Sequence, residues 1–173
     1  MVGAVGMLGR VEEIVTHLEM TSPADLRPAP PVPGVAVEPI PADAPLVRPT
    51  TVRIGEPYNW PSSRWSDDDW EWYLAREGRH CVLIRHLGEI AGLADYQSHG
   101  DGEVEITTFG LVPEYVGKGI GGYALTLAVE QAWQSGPDVR RVWLHTSDLD
   151  HPHALPNYHR RGFRTFRTAR GRR

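Results

Sequence analysis

Within six residues the chain places four glycines, Gly117, Gly119, Gly121 and Gly122, around Lys118, its only lysine. Without a Cβ, such residues let backbone N–H groups approach an anion closely, and a helix that starts there adds the positive end of its dipole. The chemistry this suggests is phosphate binding, with Lys118 either neutralising a phosphate or merely solvated. The run also fits a dinucleotide fingerprint at Gly117, Gly119 and Gly122. Residues 113–116 separate it from the preceding strand, however, and the chain that follows is too short for a doubly wound half. No Gly-Lys-Ser/Thr closes the run, so it is not a P-loop. A tight strand-to-helix turn without ligand is the other reading.

A second group of candidates is acidic. Glu103, Glu105 and Thr107 alternate with Val104 and Ile106, so the two carboxylates share one face of a half-buried strand, where their repulsion can raise one pKa. An acidic surface strand has the same pattern. Asp148, Asp150, His151 and His153 fall within six residues. They read either as ligands of a divalent metal or as a helix start in which Asp150 caps ahead of Pro152; the second is favoured and no metal is expected. Trp60, Trp65, Trp70 and Trp72 supply either an aromatic wall for a substrate or core packing. Cys81 lies in an apolar strand without a histidine and carboxylate context, so a buried thiol is expected and no covalent intermediate.

The elements that must position these groups follow from periodicity. Residues 14–20 read as a strand ahead of a proline-rich stretch that holds 11 of the 15 prolines, from Pro23 to Pro61, and within it residues 35–40 read as a second strand. Ser66 and the three aspartates after it predict an N-cap and an acidic first turn for a helix over 67–77, with Trp65 and Trp70 as a hydrophobic staple. Residues 81–84 and 90–96 form a hairpin across Leu87-Gly88-Glu89, and Gly100-Asp101-Gly102 turns the chain into a strand over 103–112. Leu125, Ala128, Val129, Ala132 and Trp133 give the spacing of a helix with one buried stripe. A strand over 141–146, a helix over 151–161 and a strand over 162–168 complete a mixed α/β sheet.

Residues 111–121 (LVPEYVGKGIG) resemble the acyl-CoA signature V-x-P-x-x-Q/R-x-x-G-x-G of the GNAT superfamily of N-acyltransferases, and Tyr158 to Phe163 is similar to that superfamily's Y-x-x-x-G-F. Over residues 80–168 the resemblance implies an α/β fold with a mainly antiparallel sheet, splayed between the family's fourth and fifth strands and flanked by helices. The wider stretch looks like a bacterial subgroup without a common substrate. The implied activity is transfer of an acetyl group from acetyl-CoA to a primary amine of a small molecule or peptide by direct attack in a ternary complex. A non-catalytic acyl-CoA sensor is the alternative. On this resemblance Glu105 is the base, the Phe109 N–H holds the oxyanion and Tyr158 is the acid, since a phenol near ~10 can protonate a thiolate whose acid is near ~8.5. Leu111, Val112, Val116, Gly117, Lys118, Gly119, Ile120, Gly121 and Gly122, with Tyr158, would hold the cofactor. Trp60, Glu103, Thr107, His151 and His153 would meet the acceptor. Gly110 reads either as a β-bulge that splays the strand, the favoured reading, or as a simple packing relief. The pattern departs at Val116, where Gln or Arg is usual, which removes one contact to the pyrophosphate, and at His151, where Asn is frequent.

Composition sets the frame. With 173 residues and 40% hydrophobic content the chain reads as a single domain: a proline-rich part over 1–61, a core over 62–168 and a basic tail over 169–173. The single cysteine fits a cytoplasmic location. The apolar run over 1–9 lacks a preceding basic residue and reads as a poor secretory signal, and no stretch is long enough for a membrane helix. Net charge is −4, yet the last fourteen residues hold seven arginines and no acid. The acidic body favours a cationic acceptor such as a polyamine, amino sugar or peptide amine. The tail reads as a solvated edge strand and frayed terminus, with no nucleic acid expected, and the assembly as a monomer or homodimer.

Overall fold

The computed structural model describes residues 10–173, and the run over 1–9 read as a poor secretory signal lies outside them. In chain order come β1 (Glu12–Met20), β2 (Val35–Ile40), α1 (Val47–Gly55), α2 (Asp67–Leu74), β3 (Arg79–His86), β4 (Glu89–Gly100), β5 (Glu103–Leu111), α3 (Gly121–Gln134), β6 (Arg141–Ser147), α4 (Ala154–Arg160) and β7 (Arg164–Arg172), with 3-10 turns between several of them. The strands form one sheet in the order β2-β3-β4-β5-β6-β1-β7. Every neighbouring pair is antiparallel except β5 and β6. This is the mixed, mainly antiparallel sheet expected from the sequence.

Local chemistry accounts for the elements. Leu87 and Gly88 both have positive φ (50° and 85°), as a two-residue hairpin turn between β3 and β4 requires. Ser66 and Asp69 form a reciprocal capping box at the start of α2, and Trp65 lies against Trp70 with ring centroids 4.9 Å apart. The proline-rich stretch holds β2 and also α1, a helix its composition hides. Pro49 sits in the first turn of α1, where its missing N–H costs nothing, and Pro39 sits in β2, an edge strand.

The core has two sides. Against one face of the sheet, α3 buries Leu125, Ala128, Val129 and Ala132 on Leu18, Met20, Val104, Ile106, Val142 and Leu144. On the other face Val47 and Ile54 of α1 pack on Cys81, Leu83 and Leu93. Cys81 is buried, and burial pushes its thiol pKa up, as suits a packing residue.

The structure corrects several boundaries read in the sequence. The helix predicted over 67–77 stops at Leu74, and the one predicted over 151–161 begins at Ala154, after the His151-Pro152-His153 turn. The residues expected as a basic tail continue β7 to Arg172, and Arg173 exchanges backbone hydrogen bonds with Val11 (2.9 and 3.1 Å). Pairing with β1 orders them. The position of the bulge differs as well. Asp95 pairs with Thr108 and Tyr96 with Ile106, so the extra residue of β5 is Thr107, not Gly110. Gly110 is small for another reason: a Cβ there would collide with the Ile54 side chain.

Because β1 lies between β6 and β7, residues at the start of the chain hold the second half of the sheet together. Leu18 is fully buried there. Leu18→Ala should therefore cost about 2–5 kcal/mol in denaturant unfolding; an unchanged midpoint would mean that β1 does not belong to the core.

Candidate functional site

β6 stays with β5 for three residue pairs, Glu103–Arg141, Val104–Val142 and Glu105–Trp143, and then leaves it. Beyond this point β5 keeps β4 on one edge and has no strand along the other. Val112 N–H donates to Ala91 O at 2.8 Å, and alternation along an antiparallel ladder then makes Ala94–Phe109 and Gly92–Leu111 pairs of the non-hydrogen-bonded kind. The N–H and C=O groups of Phe109 and Leu111 therefore point away from β4, into the gap that β6 leaves.

A cavity of about 400 Å³ fills one part of this gap. Phe109, Gly110 and Leu111 line it from β5, while Val116, Gly117, Gly119, Gly121 and Gly122 line it from the loop and the start of α3. The backbone N–H groups of residues 117–123 donate to no acceptor among the described residues. Gly117 and Gly119 have φ of 76° and 77°, a region that favours glycine. Asn157, Arg160 and Arg161 close the cavity from α4. A Cβ on Gly122 would lie 2.9 Å from Arg161 Nη1, so this glycine admits the guanidinium to the start of α3. The Nε of Arg161 is buried without a partner, and burial together with Arg160 lowers its pKa. An anion would relieve both. Tyr158 also lines the cavity, edge-on to Phe109 and Phe163 at 6.4 and 5.9 Å. Burial, then the charge of Asp150, raises its pKa, and its hydroxyl has no hydrogen-bond partner among the described residues.

A second cavity, of about 450 Å³, continues along the same gap. Glu105, Thr107 and Thr108 line it from β5, His17 and His145 from β1 and β6, and Trp60 and Trp65 from the segment before α2. Glu105 Oε1 lies 2.8 Å from His99 Nε2, and Oε2 lies 3.9 Å from His145 Nδ1. His145 and His17 are cross-strand neighbours with ring centroids 5.6 Å apart; burial, then His145, lowers the His17 pKa. Beneath the bulge, Asp95 accepts from Arg79 Nη2 at 2.5 Å and from the Tyr73 hydroxyl at 2.6 Å, and Thr107 Oγ1 donates to Asp95 O at 3.1 Å. This buried set fixes the strand where the two cavities divide.

Trp60 and Asp150 line both cavities. Asp150 accepts four hydrogen bonds: at Oδ1 from Trp60 Nε1 (2.9 Å) and Arg173 Nη1 (3.0 Å), and at Oδ2 from Thr146 Oγ1 and Ser147 N (both 2.9 Å). It does not cap α4, whose N-cap residue is His153. Instead it pins the far end of β6 to Trp60 on one side and to Arg173, just past β7, on the other.

The structure divides the residues singled out in the sequence. It gathers Phe109, Leu111, Val116, Gly117, Gly119, Gly121, Gly122 and Tyr158 at the first cavity, and Glu105 and Thr107 at the second, with Trp60 common to both. Val112 and Ile120 are core side chains, and Lys118 is exposed off the cavity wall. Glu103 pairs with Arg141 at 3.3 Å and Glu105 with His99, so each carboxylate has its own partner to offset the repulsion expected between them. Glu103 lines neither cavity. His151 and His153 border the first cavity, beside the glycine run, and not the second, where Glu105 lies. No group of three or more metal-ligating side chains occurs among the described residues. Trp72 is 69% exposed and takes no part in a wall.

Sequence reasoning missed Arg161, whose signal was its place inside Tyr158–Phe163 next to Arg160. It also missed His99, His145 and His17, which are far apart in the chain and meet through strand register alone.

A model of the acetyltransferase (GNAT) family matches residues 50–163. Among solved structures, a GCN5-related N-acetyltransferase from Kribbella flavida aligns with 93% of this chain and 56% of its own, at 22% identity and a TM-score of 0.64. One from Sphaerobacter thermophilus aligns with 92% of this chain and 51% of its own, at 18% and 0.60. An IAA acetyltransferase from Bacillus cereus aligns with 77% of this chain and 79% of its own, at 22% and 0.59. At these identities the likeness is one of fold. The chain spans little more than half the length of the first two. No curated protein sequence matches it. No helix among the described residues is long and apolar enough to cross a membrane.

Burial, then the charge of Asp95, pushes the Tyr73 phenol up to about 12. Between the unfolded value of about 10 and the folded value, the folded state keeps a proton that the unfolded state has lost, so stability falls as pH rises through this window, by roughly 2–3 kcal/mol in all. Tyr73→Phe should flatten this alkaline slope in urea titrations at pH 9 to 12. A slope equal to that of the unchanged protein would show that Tyr73 does not carry it.

Proposed function

Because this chain belongs to the acetyltransferase (GNAT) family, we propose that it moves an acetyl group from acetyl-CoA to a primary amine by direct attack in a ternary complex. One observation carries the reading: two cavities run end to end along a gap in the sheet and meet at Trp60 and Asp150. One is lined by unpaired N–H groups and arginine, the other holds a carboxylate between imidazoles. An anion-binding donor site and a base-bearing acceptor site in one continuous channel are what the transfer needs.

The residues at the first cavity suit the donor. Seven unpaired N–H groups, the orphaned guanidinium of Arg161 and the start of α3 match a pyrophosphate. They offset the contact absent at Val116. Free backbone groups of Phe109 and Leu111 suit the amide-bearing arm that would lie beside β5 as an extra strand. When bound, acetyl-CoA supplies the thioester carbonyl that is attacked. The Phe109 N–H is the donor for the oxygen that becomes negative. Glu105 takes the proton of the ammonium, directly or through water, and His99, with its side chain partly exposed, leads that proton to solvent. Tyr158 gives its phenol proton to the leaving thiolate. Burial keeps the phenol protonated, and the same poor solvation raises the basicity of a thiolate beside it.

Calorimetric titration with acetyl-CoA should give about one site per chain at micromolar Kd, roughly −8 kcal/mol. Tyr158→Phe should keep that affinity and lose about 10²- to 10⁴-fold in thiol release. Arg161→Ala should weaken binding about tenfold or more. Turnover by Tyr158→Phe at the original rate would remove the acid role. Binding with no thiol release from any amine would instead favour a sensor that holds acyl-CoA without using it.

A further inference from the structure

The second cavity has an unequal charge pattern. Three carboxylates border it, Glu13, Glu105 and Asp150. Asp150 is saturated by four donors, two of them from Trp60 and Arg173, and Glu13 faces the Arg173 guanidinium at 3.2 Å. Only Glu105 has imidazole neighbours and no arginine. The cavity therefore offers one anionic position to an ammonium group, at Glu105. A polyamine would bring a second or third cation with no carboxylate free to receive it, and burying it unpaired is costly.

The cations are likewise engaged. Arg173 donates to Asp150 Oδ1 and to Tyr58 O. Arg76 lies over the Trp72 ring at 5.4 Å. Neither arrangement leaves a guanidinium turned into the cavity to hold a carboxylate, which argues against a free amino acid.

What remains is apolar surface. Trp60 and Trp65 are half-buried and line the cavity, and Trp70 and Tyr73 back Trp65 from α2, its ring 4.9 Å from Trp70 and 5.1 Å from Tyr73. The Trp60 N–H is already committed to Asp150, so its ring presents carbon to the cavity. Flat rings held by other flat rings make a slot for a planar body. Resting on the transfer reading above, we propose that the acceptor is a monoamine whose single amino group is joined by a short chain to a planar aromatic body. Its ammonium faces Glu105 and its ring lies against Trp60 and Trp65.

The test is a set of amines offered with acetyl-CoA, followed by thiol release: tryptamine and 2-phenylethylamine against n-butylamine, spermidine, glucosamine and lysine. The aryl amines should lead in kcat/KM by at least about tenfold, the gain expected of one aromatic contact. Trp65→Ala should raise KM for 2-phenylethylamine about tenfold more than for n-butylamine, with calorimetric acetyl-CoA binding as the check on folding. Turnover that favours spermidine, glucosamine or lysine, or an order of preference untouched by Trp65→Ala, would overturn this inference and leave the transfer reading intact. No acetyl-CoA binding, or binding without thiol release from any of these amines, would overturn the transfer reading and this inference with it.

Discussion

A strand inside a sheet normally has neighbours along both edges; β5 has its second neighbour for only three residues. Beyond Trp143, β6 runs on beside β1 alone. From Val142 to Ser147 it pairs with β1, which in turn pairs with β7, and Asp150 fastens the end of β6 to Trp60 and Arg173. On the other side, the extra residue at Thr107 bends β5 where the Asp95 network holds it from below. The two half-sheets are thus each well paired and joined over a short seam. Backbone groups of Phe109 and Leu111 are left in the middle of the sheet with no strand to meet them. Orphan polar groups of this kind must find water or a ligand, since leaving one buried and unpaired costs about 1–3 kcal/mol. The site is a consequence of how the sheet is divided, and the glycine loop only completes it.

Much of this was legible in the chain. The strand periodicities, the Ser66 cap, the glycine run and the stripe of α3 are local signals, each set by residues within a few positions of one another. They correctly gave a mixed sheet with α3 behind the glycine loop. The register of β1 was not local. Its seven apolar-alternating residues read as a strand, but nothing near them says that the partners are roughly 120 to 160 residues away, in β6 and β7. The seven arginines at the end looked like a solvated tail because their acidic counterparts, Glu12, Glu13 and Asp150, are contributed by other elements.

At the site the same division holds. Gly117 and Gly119 were readable because positive φ has a residue-type signature. Gly110 was misread because two unrelated causes, a bulge and a close neighbour, both call for a missing Cβ; only the Ile54 side chain in space tells them apart. Lys118 drew notice as the lone lysine in the loop, whereas the guanidinium beside the start of α3 comes from Arg161, forty residues later. Asp150 looked like a cap or a metal ligand because its four donors lie on Trp60, Thr146, Ser147 and Arg173, of which only two are near in sequence.

The rarity of lysine has a chemical corollary. Thioesters acylate exposed amines without help, and a protein that holds one for long risks modifying itself. Here arginine carries nearly all the positive charge, and a guanidinium that stays protonated is a poor nucleophile. Lys118 is the only side-chain amine in the chain, and it is exposed on the glycine loop. Spontaneous acylation of side-chain amines would therefore fall on a single position, cancelling one charge on the glycine loop and leaving every other side chain untouched.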